Sequence, residues 1–192
     1  MTKLLARQCS SISLIEPEED QWPDILKSEG IVDSFTMWMG FRGIWLPLQY
    51  QAQALKKQNK TVFLDTYFIK ILGYELDEPG VEWLFPRNDP YFSLFYQICK
   101  LDIEQLPDPD CIVLIDVTYD DWLKLLGTRS RNWDKRPGFA ESYSYTLQAI
   151  DHAVEQLCHE RNIRLIRFHT EFGDANEQSA RLRSLLIQEK VL

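Results

Sequence analysis

The segment Cys111–Arg136, CIVLIDVTYDDWLKLLGTRSRNWDKR, decides how this chain is read. A short apolar run, Cys111–Ile115, has the composition of a strand buried on both faces and stops at a carboxylate, Asp116. Helical spacing follows from Tyr119 to Leu126, and then a loop carries Arg129, Arg131, Lys135 and Arg136 around Asp134. Four cations within eight residues of an acidic protein point to an anion that arrives and leaves, such as the phosphates of a nucleotide. The competing reading is a surface ion-pair network with Asp120, Asp121 and Asp134, but such pairs contribute little to stability.

Three further apolar runs match the first in length and character: Ser11–Ile15, Thr61–Leu64 and Arg164–Phe168. None alternates, so each is expected to be a parallel strand covered on both faces. Between them lie helical patterns. Asp33–Gln58 is long and interrupted by Gly40, Gly43 and Pro47. Pro90–Leu106 spaces Phe92, Phe95, Tyr96, Cys99 and Ile103 in steps of three and four, and Glu141–Arg161 carries Tyr145, Ile150, Val154 and Leu157. A last helix, about Asn176–Lys190, sets Leu182, Leu185 and Leu186 on one face. Strands alternating with helices imply right-handed crossovers and a parallel α/β sheet. The chain opens on Thr2–Gln8, TKLLARQ, which reads as a helix where an α/β sheet would normally have a strand first.

Composition narrows the function. At 192 residues and 45% hydrophobic, the chain is expected to form one domain with a sizeable core. A formal net charge of −8 argues against nucleic-acid polymers and anionic membranes as partners, although a small phosphorylated ligand senses only its local field. Cys9, Cys99, Cys111 and Cys158 lack CxxC spacing and read as free thiols of the cytoplasm. His152, His159 and His169 have no ligand-like neighbours in sequence, and no leader or membrane-spanning run is present. Trp38, Trp45, Trp83 and Trp122 are expected in the core, with Trp133 exposed in the cationic loop. The first three strands end at Glu16, Asp65 and Asp116, and in a parallel sheet those carboxylates would share the edge where ligands bind.

Several segments, taken in order, resemble the deoxynucleoside kinase family. LIEPEEDQW (Leu14–Trp22) is similar to the segment after its second strand, where a strand ends in Glu-Pro and a Trp follows. WLPLQYQAQ (Trp45–Gln53) resembles the helix that presents a base-reading Gln, and VFLDTY (Val62–Tyr67) the strand ending in an acidic-plus-Arg motif. TRSRNWD (Thr128–Asp134) looks like the arginine lid that closes over ATP, and RNIRLIRF (Arg161–Phe168) like the last strand. The resemblance runs from Met1 to about Gly173.

It implies a three-layer α/β/α parallel sheet of P-loop kinase type, one domain over residues 1–192 with a lid at about 128–138. The implied reaction moves the γ-phosphoryl of ATP to the 5′-hydroxyl of a deoxynucleoside. By position, Glu16 would be the general base, and Trp22, Trp45, Gln49 and Tyr67 would line the nucleoside pocket. Asp65 would help hold Mg²⁺, and Arg129, Arg131 and Arg136 would contact the phosphates. The family commonly dimerises, so a homodimer is among the implied states. Thymidylate kinases share the plan, so a nucleoside monophosphate stays open as substrate.

The departures from the family are specific. Thr66 stands where the family has Arg after the acidic residue, and Leu125 where it often has a further lid Arg. No GxxxxGK[ST] occurs anywhere in the chain, and TKLLARQ looks like the helix that follows that loop. The favoured reading places the missing strand and loop upstream of Met1; the rival is a diverged nucleoside-binding protein without ATP chemistry. On either reading the chain as written is expected to be a weak or inactive catalyst.

Overall fold

Each of the apolar runs forms a strand in the computed structural model, which describes residues 1–27, 33–65, 85–129, 131, 133–135 and 138–192, without the side chains of Ile25 and Trp133. The strands are β1 (Ile12–Leu14), β2 (Val62–Leu64), β3 (Cys111–Val117) and β4 (Arg164–Thr170). β1 runs parallel to β2 with Ser13 opposite Phe63, and β3 parallel to β4 with Val113 opposite Ile166. Among the described residues the two pairs share no hydrogen bonds, so the expected single sheet is divided into two two-stranded ones.

The helices are α1 (Thr2–Gln8), α2 (Asp24–Lys27), α3 (Ser34–Lys56), α4 (Phe92–Gln105), α5 (Tyr119–Thr128), α6 (Phe139–Arg161) and α7 (Ala175–Gln188). Leu5 of α1 packs with Leu182 and Leu186 of α7 over Ile166 and Phe168 of β4, and Phe63, Cys111 and Val113 join the same cluster. The opposite face of β3 turns Ile112 and Leu114 toward Ala153, Val154 and Leu157 of α6. A third cluster ties α3, α4 and α6 together through Trp38, Trp45, Phe85, Phe95, Cys99 and Ala149. Phe85 and Phe95, both fully buried, stack at 4.4 Å. The side chain of Arg42 on α3 donates from Nε and Nη2 to Asp102 of α4 at 2.5 and 2.7 Å, fixing the two helices by a forked ion pair.

Three expectations need correction. β3 does not stop at Asp116: β4 continues to Thr170, so the ladder keeps β3 extended to Val117 with Asp116 inside it, opposite His169. β4 is not buried on both faces but alternates, with Ile166, Phe168 and Thr170 buried and Arg164, Arg167 and His169 exposed. An edge strand with one covered face behaves this way. On α6, Tyr145 is 52% exposed, and the small residues Thr146, Ala149 and Ala153 take the buried stripe instead. Trp38, Trp45 and Trp122 are core as expected, Trp83 lies outside the described residues, and the four cysteines are free thiols. Among the described residues no helix is long and apolar enough to cross a membrane.

α3 runs unbroken through Gly40, Gly43 and Pro47. Asp33 caps it, its carboxylate accepting from the Thr36 backbone N–H at 2.8 Å. Pro47 cannot donate to the Gly43 carbonyl, but Gly43 is exposed and water can reach that oxygen. Gly40 is required by packing: a Cβ there would meet Leu26 Cδ2 of α2 at 2.6 Å, and Leu26 is buried. A Cβ at Gly43 would meet nothing within 4 Å. Gly43→Ala is therefore expected to stabilise the protein by about 0.5–1 kcal/mol through helix propensity. Gly40→Ala is expected to destabilise it by about 1–2 kcal/mol through overpacking. Urea unfolding midpoints of both variants check this; a gain at Gly40 would mean that α2 does not pack against α3.

Candidate functional site: the acidic strand end and the arginine loop

The Asp65 backbone N–H donates to the Leu14 carbonyl at 2.8 Å, so the ends of β1 and β2 lie side by side. Glu16 follows β1 by two residues, and Asp65 immediately follows β2; neither is fully buried. These two carboxylates are thus brought to one strand end as expected, whereas Asp116 is not one of the terminating residues. Asp116 belongs to the other strand pair, where its Oδ2 lies 3.4 Å from His169 Nδ1, a partner invisible in the sequence spacing.

After Pro17 the chain turns through a short 3₁₀ helix, Glu19–Gln21. Glu18 caps it reciprocally with Gln21, and its own N–H donates to Gln21 Oε1 at 3.3 Å. The Trp22 indole N–H donates back to the Pro17 carbonyl at 2.9 Å, which closes the turn and buries the ring. Trp22 meets Phe41 edge-on at 4.9 Å, and Phe41 stacks on Trp45 at 5.4 Å. Gln49 lies one helical turn beyond Trp45 on the same face of α3 and is 3% exposed. Trp22, at the end of the acidic turn, thus joins an aromatic cluster with Phe41 and Trp45, and Gln49 is buried one turn further along α3. Tyr67 and Thr66 lie outside the described residues.

The cationic loop follows α5, whose N-terminus is capped by Thr118 Oγ1 accepting from the Asp121 N–H at 3.2 Å. Asp121 pairs with Lys124 at 2.7 Å, so it takes no part in the loop's network. Arg129 Nε lies 3.1 Å from Asp134 Oδ2, and the Asp134 side chain is only 5% exposed. Arg131 reaches across 113 residues of sequence to Glu18, donating to Oε2 from Nη2 at 2.8 Å and from Nε at 3.3 Å. This contact sets Arg131 against the segment that carries Glu16. Lys135 is exposed, and Arg136 and the Trp133 side chain lie outside the described residues.

The charges are unequal in their comfort. The Arg131 hydrogen bond holds the Glu18 carboxyl below the usual range against a smaller cost of burial, and the fields of Arg131, Arg129 and Lys3 act in the same direction. Burial pushes the Asp134 carboxyl up, with Arg129 and Arg131 opposing it. Glu18 is a member of this contact that the sequence does not single out. In sequence Glu18 reads only as part of an acidic turn, although its spacing to Gln21 is a capping signature. Asp65 and Glu16 offer the oxygen donors that Mg²⁺ prefers. Among the described residues no group of three or more His, Cys, Asp or Glu converges on a metal position.

A raised aspartate pKa means that the folded state binds its proton more tightly than the unfolded chain does, so stability falls as pH rises from about 3.9, the unfolded value, through the folded one. Asp134→Asn removes that penalty and is expected to leave the melting temperature at pH 7 equal or higher, with the difference vanishing toward pH 3. A variant much less stable at pH 7 would show that the Arg129 pair outweighs the burial.

A scan of protein-family models gives no match for this chain, and a search of curated proteins gives none either, so the case for function rests on the geometry of this site.

Proposed function

We propose that the protein is a nucleoside-binding α/β domain built on the plan of the P-loop nucleoside kinases, with phosphoryl transfer to a 5′-hydroxyl as its chemistry. The observation that carries this reading is the Arg131–Glu18 contact, which sets the arginine loop against the segment that leaves β1 through Glu16.

The chain topology supports the same plan. Helices α3, α4 and α6 share one side and α1 and α7 the other. Right-handed crossovers through α3, α4 and α6 carry the chain steadily in one direction, from β1 to β2, then to β3 and β4.

In the reaction, the nucleoside 5′-oxygen attacks the γ-phosphorus, its proton passes to Glu16, and the bond to the bridging oxygen breaks to release ADP. Glu16 needs hydrogen-bond reach to that hydroxyl, which its place at a strand end provides. Arg129 and Arg131 offset the charge spreading over the equatorial oxygens, and positioned charge of this kind supplies most of the catalysis in phosphoryl transfer. Mg²⁺, when present with the phosphates beside Asp65, would supply further charge neutralisation. Gln49 offers a paired donor and acceptor to a base edge. The absence of GxxxxGK[ST] from the chain favours a second reading, in which nucleoside binding is retained and transfer is lost.

Thermal shift with each deoxynucleoside, each monophosphate and Mg·ATP is the test. One nucleoside at a hundredfold excess over its Kd is expected to add about 2.7 kcal/mol of stability. A shift with a nucleoside but none with Mg·ATP selects the binding-protein reading, and no shift with any of them overturns both. Where transfer is detected, Glu16→Gln is expected to lower it about 10²–10⁴-fold while nucleoside binding holds; equal loss of both would remove Glu16 as the base.

A further inference from the structure

The loop after α5 is held at two places of unequal strength. At its base, Trp122 of α5 stacks on Tyr143 of α6 at 5.3 Å, and Tyr143 stacks on Phe139, the first residue of α6, at 5.3 Å. Trp122 is buried, so this aromatic ladder fastens the two helices that flank the loop to each other. Gly138 turns the chain into α6 with φ +75°, a conformation that suits glycine. Farther out, Arg131 reaches the turn after β1, donating to Glu18 Oε2 from Nη2 at 2.8 Å and from Nε at 3.3 Å. That fork is partly solvated, with the two side chains 27% and 61% exposed. A pair so placed stabilises only modestly and can part without disturbing the core.

We propose that the loop between α5 and α6 is a strap, hinged at Gly138 and latched to the turn after β1 by Arg131 and Glu18, and that it stands closed before any ligand arrives. The inference does not depend on the nucleoside reading. Glu18 is held for this role from its own side: it caps the Glu19–Gln21 turn, and the Trp22 indole N–H ties that turn to the Pro17 carbonyl at 2.9 Å. An ordered segment therefore presents the carboxylate, and the guanidinium meets it in a forked geometry. Opening needs only the fork to part and the backbone to rotate at Gly138, while the aromatic ladder stays stacked. The latch thus governs local opening of the strap and not unfolding of the domain.

The test is limited trypsin digestion of the full chain, with the initial rate of cleavage after Lys135 read by mass spectrometry. Lys135 is exposed and takes no part in the fork, and cleavage there requires the loop to open locally. Glu18→Gln and Arg131→Gln are each expected to raise that rate about two- to fivefold, the scale of one partly exposed ion pair. Cleavage after Lys57, at the end of α3, is expected to keep the parent rate. The double variant is expected to be no faster than either single one, because each removes the same interaction. Gln at position 18 still offers an oxygen to the cap, and Arg131→Gln leaves the cap untouched, so a matching rise in both variants separates the latch from the cap. Unchanged cleavage after Lys135 in both single variants, or effects that multiply in the double one, overturns the latch. A rise after Lys57 as large as that after Lys135 overturns it too, because it marks general unfolding.

Discussion

Strands of a parallel pair need apolar cover, and the helices on either side of this protein's strands supply it, more fully for β3 than for β4, whose Arg164, Arg167 and His169 stay exposed. β3 shows it most clearly, with Ile112 and Leu114 directed to α6 and Cys111 and Val113 to the cluster beneath α1 and α7. Because β1 and β2 are only three residues each, the ladder contributes little by itself, and the helices on either side must fix their place. The Phe85–Phe95 stack, the Arg42–Asp102 fork and the Leu26–Gly40 contact all serve to lock α2, α3 and α4 as one body. Arg161 at the end of α6 adds a further clamp, donating to the Ile103 carbonyl at 2.5 Å and to Asp108 at 2.9 Å. It thereby closes the chain between α4 and β3. The strand ends, where Glu16 and Asp65 sit, are held by this framework and not by the strands alone.

The framework also explains why the chemistry gathers where it does. A carboxylate just beyond the end of a short parallel strand escapes the cost of full burial. The loop after α5 brings the compensating cations. Its own acid, Asp134, is nearly enclosed and shifted upward, whereas Glu18, across the cleft, is exposed and shifted downward. Asp134 lies 3.1 Å from Arg129 within the loop, and Glu18 accepts from Arg131 across 113 residues of sequence.

Most of this architecture is legible in the sequence because it follows from local pattern. The apolar runs at residues 12–14, 62–64, 111–117 and 164–170 are short and β-branched or aromatic, and the helices between them carry three- and four-residue apolar steps. The errors occur where the neighbour decides the outcome. The extension of β3 through Asp116 depends on β4 being long enough to pair with it, and the exposure of Arg167 depends on Glu155 and Asp151 of α6 standing ready to pair. The site shows the same division. Glu16, Asp65, Trp22, Arg129 and Arg131 are readable from type and position, but the pairing of residue 131 with residue 18 is not, because no periodicity links positions so far apart.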